Sequence, residues 1–249
     1  MSGHSKWATI KHKKGAADAA RGKLFAKLIR QVEVAAREGG GDPDMNPTLR
    51  TMYQKARDAS VPLDTIERAI KRGTGDLEGV IYEQITYEGY APGGVALLVE
   101  VLTDNRNRTG AEVRSVFTRF GGSMAEPGAV AWQFERKGML LADRGAEEDD
   151  LMLLALDAGA EDLADDGEAW RITTPPTDLH TVRTALEEGG VTVESSELTM
   201  VPTSTIPLDT DEAAKKVLRL IDALDDNDDV QGVFANFDIP DSILEEIDA

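Results

Sequence analysis

The side chains with most to offer chemically lie at the start of the chain. Residues 3–14 read GHSKWATIKHKK and bring together Lys6, Lys11, Lys13 and Lys14 with Trp7, His4 and His12, without a single acid. Lysines present point charges to phosphate oxygens, and an indole or imidazole ring can stack on an unpaired base or a sugar. The material for catalysis is poor. His4 and His12 sit among cations that would oppose a bound metal ion, and His180 stands alone on an amphipathic stretch as a surface or edge residue. The chain has no cysteine, which excludes disulfides and thiolate metal sites and makes a reducing cytoplasm the natural compartment. No phosphate-cradling glycine motif follows a strand. The stretch DDNDDVQG at 225–232 is superficially like a calcium loop, but its glycine is misplaced and the closing Glu is absent, so it reads as a solvated turn. The expectation is a non-enzyme with no metal and no cofactor.

Charge along the chain is split. Residues 1–72 hold 15 Lys and Arg against 8 Asp and Glu, whereas residues 73–249 hold 12 against 38. At physiological salt the screening length is about 8 Å, so a partner would feel the two regions separately. A polyanion is attracted to the front and repelled by the rear. The alternative, an acidic body that only confers solubility, is compatible with this. No apolar run approaches the ~18 residues of a membrane span, and no secretory signal is evident.

Three helices must position the basic arm. Residues 16–38 read as one long helix with Leu24, Phe25, Leu28, Ile29, Val32, Ala35 and Ala36 on one face and Lys23, Lys27, Arg30 and Arg37 on the other. Such a stripe suits phosphate tracking, and it equally suits an ordinary solvated face. Gly39 to Gly41 end the helix, and Asn46 before Pro47 caps the next one, with Leu49, Met52, Tyr53, Ala56 and Ala59 at helical spacing. A third helix is expected to begin at Asp64 with Glu67 completing a capping box, to bury Ile66, Ala69 and Ile70, and to close at Gly73 and Gly75.

Beyond residue 84 the texture changes. VALLVEVLT (95–103) is a buried strand, TDNRNRTG (103–110) a loop entering a helix N-terminus, and 129–134 the next strand. Arg106 and Arg108 on that loop form a second contact for RNA or an acidic partner, or else pair with local acids such as Glu112. Residues 139–200 read as strand, helix, strand, strand, helix, strand, the ferredoxin-like order. A helix at 212–224 and a strand at 230–237 return to the first sheet. The expected class is therefore α+β: an N-terminal three-helix bundle plus two α/β domains, at least one of them ferredoxin-like. The domains are 1–80, then 81–138 joined with 201–249, and 139–200 inserted between. The strand 95–103 carries no aromatic, so the sheet shows no base-stacking platform of the kind some RNA-binding sheets use.

The stretch from residue 3 to 50, GHSKWATIKHKKGAADAARGKLFAKLIRQVEVAAREGGGDPDMNPTLR, resembles the N-terminal signature of the YebC family. The likeness continues through IERAIKRGTG (66–75), YEGYAPGGVALLVEVLTDNRNRT (87–109) and AVAWQFERKG (129–138). It departs at GGSMAEPGAVAW, where the family more often has an Asn-Leu-Gly turn. The resemblance implies the same three-domain layout. It also implies a nucleic-acid-binding regulator, described in the family both as a probable transcriptional regulator and as a ribosome-associated translation factor. Mitochondrial relatives are translational activators of a cytochrome oxidase subunit. On this basis the expected partner is the ribosome, its rRNA, or tRNA, with a role in easing elongation at difficult sequences such as proline runs. Lys6, Lys11, Lys13, Lys14, Lys23, Lys27 and Arg30 would neutralise phosphates, Trp7 or His12 would stack, and the acidic body would face basic ribosomal proteins. DNA is the rival target, for which Arg50, Gln54 and Arg57 are the available base readers.

Overall fold

The computed structural model describes residues 18–167, 169–240 and 243. Three helices come first: α1 (Asp18–Gly39), α2 (Pro47–Asp58) and α3 (Leu63–Thr74). The expected apolar face of α1 buries Leu28, Val32, Ala35 and Ala36, while Leu24 remains 40 % exposed. Cover for α1 comes at its C-terminal half. There Gly73 of α3 approaches so closely that a Cβ would lie 2.4 Å from the Glu33 carbonyl oxygen and 2.7 Å from Ala36 Cβ. Gly73 thus serves packing inside the helix, and Gly75 (φ 89°) is the residue that ends it.

Asn46 joins two helices at once. Its Oδ1 accepts from Leu49 N (3.0 Å) to cap α2, and its Nδ2 donates to the carbonyls of Ala35 and Gly40 (2.8 Å each) at the end of α1. The capping box expected for α3 does not form. The helix starts at Leu63 after Pro62, without a side-chain cap. Asp64, already inside the first turn, pairs instead with Arg68 one turn on. A buried carboxylate, Glu33, accepts from Arg72 (2.9 Å) and Arg37 (3.4 Å) and ties α3 to α1.

The first sheet has order β3-β1-β2-β9, from β1 (Glu83–Tyr90), β2 (Ala96–Thr103), β3 (Ser123–Met124) and β9 (Val230–Ala235). β2 is buried along nearly its whole length, as its apolar run requires. β9 pairs antiparallel with it, Leu97 opposite Ala235 and Val99 opposite Val233, so the chain end does return to the opening sheet. Helices α4 (Arg106–Arg119) and α7 (Asp211–Asp225) supply Val113, Phe117, Val217, Leu220 and Leu224 to the core of this sheet. A short parallel pair, β8 (Ile206–Pro207) with β10 (Phe237–Asp238), sits apart from it.

The strand expected at 129–134 is a pinned turn instead. Glu88 spends its whole buried carboxylate on it: Oε1 accepts from Gly128 N (2.6 Å), and Oε2 from Val130 N (2.6 Å) and Ala131 N (2.9 Å). Burial alone would raise the Glu88 pKa, yet these three amide donors bring it below the ordinary carboxylate value. The ladder resumes only at Phe134, where β4 (Phe134–Ala142) runs without a break through residues read as two strands.

The second sheet combines β4 with β5 (Asp162–Asp165), β6 (Trp170–Thr174) and β7 (Val193–Pro202) in the order β5-β6-β4-β7. Helices α5 (Glu148–Asp157) and α6 (Leu179–Glu188) connect alternate strands, giving the ferredoxin-like topology read from the sequence. Its core is Leu140, Leu151, Ile172, Val182 and Leu186 with their neighbours. The class is α+β throughout. Among the described residues, two compact units separate: 18–27 with 80–135 and 201–240, and 28–79 with 136–200. No helix among them is long and apolar enough to cross a membrane.

Candidate nucleic-acid interface

Of the residues expected to meet a polyanion, Lys6, Trp7, Lys11, His12, Lys13 and Lys14 lie outside the described residues. Lys23, Lys27, Arg30, Arg106 and Arg108 are described. Lys23 and Lys27 do not stand open on the first turns of α1. Lys23 Nζ ion-pairs with Asp226, and Lys27 Nζ donates to the Asp225 carbonyl at 2.6 Å. Both therefore rest on the C-terminal end of α7, where the helix dipole is negative and the aspartates 225, 226, 228 and 229 follow. The hydrogen bond to Asp226 raises the Lys23 pKa, opposed by slight desolvation and helped by the charges of Asp226 and Asp228. Solvent screens an exposed pair of this kind, so a phosphate can replace the aspartate. Arg30 is half-buried farther along α1. Arg37, the last member of the stripe, is committed to Glu33.

The two arginines after β2 have different environments. Asn105 caps α4, its Oδ1 accepting from Arg108 N at 3.1 Å, so Arg106 and Arg108 belong to the first turn of the helix rather than to a loop. Arg106 is exposed and pairs with Glu83 at 2.9 Å. Arg108 is held by Asp104 (3.0 Å) and Asp229 (2.6 Å). The local ion pairs weighed for this turn are thus present, with other acids than Glu112, which accepts from the Asn227 side-chain amide.

Asp229 is the residue the sequence concealed. It lies within the run read as a solvated turn, yet it is buried, and its Oδ2 accepts from Thr109 Oγ1 (2.6 Å), Arg108 (2.6 Å) and Thr103 Oγ1 (3.1 Å). The cluster joins the end of β2, the start of α4 and the approach to β9. Burial pushes the Asp229 carboxyl up, but the hydrogen bonds from Thr109, Arg108 and Thr103 outweigh it and hold the pKa below the usual 3.8. A carboxyl depressed in the fold contributes stability fully above about pH 4, its unfolded value, and loses it as pH falls through the lower folded value. Asp229→Asn is therefore expected to cost about 1–3 kcal/mol near neutrality and to flatten the acid limb of a plot of melting temperature against pH. Equal acid limbs for the two proteins would exclude Asp229 as the titrating group.

Two family models match the chain. The model described as the TACO1/YebC protein N-terminal domain matches residues 5–76, and that of the TACO1/YebC second and third domain matches residues 82–237. A "Probable transcriptional regulatory protein" of Thermobifida fusca is 60 % identical over 249 residues, covering 99 % of this chain and 100 % of the relative. One of the same name from Halothermothrix orenii is 56 % identical over 250 residues, with 99 % of each chain covered. The crystal structure of a conserved hypothetical protein from Aquifex aeolicus superposes with a TM-score of 0.83 at 49 % identity, covering 91 % of this chain and 94 % of the other. With both family models matched and relatives aligned end to end, the chain belongs to the TACO1/YebC family.

Proposed function

We propose that the chain is a non-catalytic, nucleic-acid-binding regulator of gene expression whose target is structured RNA at the ribosome, rRNA or tRNA, in the cytoplasm. The observation that carries this reading is the segregation of charge, 15 cations against 8 acids up to residue 72 and 12 against 38 beyond it. The front of such a molecule is drawn to phosphates as a whole; the rear, taken as a whole, is held off except where its few cations gather, and is free to face basic ribosomal proteins. Lys6, Lys11, Lys13 and Lys14 neutralise phosphates, with Trp7 or His12 stacking on a base or sugar. Lys23 exchanges the Asp226 carboxylate, and Lys27 the Asp225 carbonyl, for phosphate as the strand arrives, and Arg30 extends the track. Arg106 can exchange Glu83 in the same way. Arg108, gripped by a buried carboxylate, is better suited to supporting the start of α4. An arm of this kind can reach a functional centre of the ribosome and ease elongation at difficult sequences, proline-rich ones among them. The working division is 1–80 for RNA contact, 81–138 with 201–249 as body, and 139–200 as the inserted domain.

The second reading, a DNA-binding transcriptional regulator, is favoured by the names of the relatives. Base readout needs forked donors presented together in the major groove. Arg50, however, already donates to the carbonyls of Pro43 (3.0 Å) and Asp44 (2.7 Å), and Gln54 to Asp58 (2.9 Å). The deciding measurement is binding to ribosomes and structured RNA against promoter duplexes at matched salt. Tighter binding to RNA is expected. A preference for duplex DNA that depends on single base changes would overturn the RNA reading.

A further inference from the structure

We propose that the exposed side of α4 forms a groove for single-stranded nucleic acid, built of residues other than those of the N-terminal arm; the proposal rests on the nucleic-acid-binding reading above. An open groove of about 790 Å³ runs along this helix, lined by Tyr87, Arg106, Gly110, Arg114, Arg119 and Met124 among others. Arg119 also lines an adjoining depression of about 430 Å³ together with Lys216 and Arg219. Residues 73–249 contain 12 cations, and five of them lie in these two neighbouring hollows. A strongly acidic body that gathers its few cations in one place has a surface able to hold a polyanion there.

The cations are available. Among the described residues no carboxylate pairs with Arg114, Arg119 or Arg219, and Arg119 only overlies the Phe120 ring at 5.0 Å. Arg106 and Lys216 have acid partners, Glu83 and Glu212, in exposed pairs that solvent weakens and phosphate can displace. The one acid on α4, Glu112, is occupied by Asn227. Val113 and Phe117 bury the core side of the helix, while Arg106, Arg114 and Arg119 are all exposed. From Arg106 to Arg119 the helix extends about 20 Å.

The groove offers more than charge. Gly110 leaves room for the Tyr87 phenol against the helix, since a Cβ there would lie 3.0 Å from the hydroxyl. Tyr87 and Met124 then give the groove an apolar wall on which a base or ribose can rest. Its volume suits one or two nucleotides rather than a duplex. The forked guanidinium groups match phosphate oxygens in pairs. An acidic peptide could use the charges but has no use for the aromatic wall.

The test titrates the full-length protein with a short fluorescein-labelled oligouridine from about 50 mM to about 200 mM salt. Arg114→Glu with Arg119→Glu is expected to weaken binding about tenfold or more. It should also make the slope of log affinity against log salt shallower by about 1.4, two contacts at about 0.7 each. Arg114→Gln, a milder change at an exposed position, should give roughly half that change in slope. Both variants should melt at the wild-type temperature; if the double variant melts lower, the Gln variant decides. Wild-type affinity and slope in the variants, with loss confined to an arm variant (Lys11→Glu, Lys13→Glu, Lys14→Glu), would overturn the groove and leave the arm standing. No binding by the wild-type protein would overturn both. Displacement of the RNA by polyglutamate as effectively as by unlabelled oligouridine would overturn the assignment to a nucleic-acid strand.

Discussion

Charge reversal at Lys11, Lys13 and Lys14 together should weaken binding to single-stranded RNA by about a hundredfold or more while the melting temperature stays where it is. Each lysine that neutralises a phosphate releases a condensed counterion, which is why affinity falls with salt. Three lost contacts make the log–log slope shallower by about 2. If each contact contributes about 1 kcal/mol, their removal alone amounts to about 3 kcal/mol, or roughly two powers of ten; the repulsion from the new glutamates adds to this. The three lysines precede every described element of the fold. Filter binding across a salt series, with a thermal melt as control, measures both quantities. Unchanged affinity in the triple variant would remove the arm from the mechanism. A lowered melting point would make it a structural segment instead.

The largest effect on stability is expected at Arg183. This side chain of α6 is buried, and its guanidinium makes a two-pronged contact with Asp58 at the end of α2: Nη1 to Oδ2 at 2.6 Å and Nη2 to Oδ1 at 3.0 Å. Nη1 also donates to Ser196 Oγ (2.7 Å) on β7, and Nε to Glu187 (2.8 Å). One residue thereby joins a helix of the N-terminal bundle to two elements of the ferredoxin-like sheet. Arg183→Ala leaves Asp58 and Ser196 without this donor in a largely buried place and should cost about 3–5 kcal/mol. Arg183→Lys keeps the charge but loses the paired geometry, so an intermediate loss is expected. Urea unfolding of Arg183→Ala, Asp58→Ala and the double variant isolates the pair: the double variant should be far less destabilised than the sum of the singles. Additive losses, or a loss under about 1 kcal/mol for Arg183→Ala, would show that the contact contributes little.

The acidic turn at 225–229 has two roles that composition hides. Asp225 and Asp226 receive Lys27 and Lys23, while Asp229, a few residues on, turns inward to organise Thr103, Thr109 and Arg108. Neighbouring aspartates of the same type thus differ in environment by the direction the chain gives them. The consequence for binding is that Lys23 begins already paired with an internal acid and Lys27 already bonded to a backbone carbonyl, and RNA has to displace these partners before it gains their charge.

Much of the architecture was legible in the residues because it is written in local periodicity. The 3.6-residue spacing of Leu28, Val32, Ala35 and Ala36, the Asn46–Pro47 start of α2, the apolar run of β2 and the alternation of strands and helices from Met139 onward all survive in the fold. So does the contrast in charge, since net charge needs no coordinates. What the tertiary structure decided are the contacts between residues far apart in the chain. Glu88 reaches forty residues on to hold a turn where a strand was expected, Asp64 turns to Arg68 instead of capping its helix, and Arg183 meets Asp58 across 125 positions. The cations of α4 and α7 converge on adjoining hollows although a hundred residues separate them. Periodicity reports which way a side chain faces on its own element. Which distant partner waits there depends on how the elements pack, and no short window of sequence contains that.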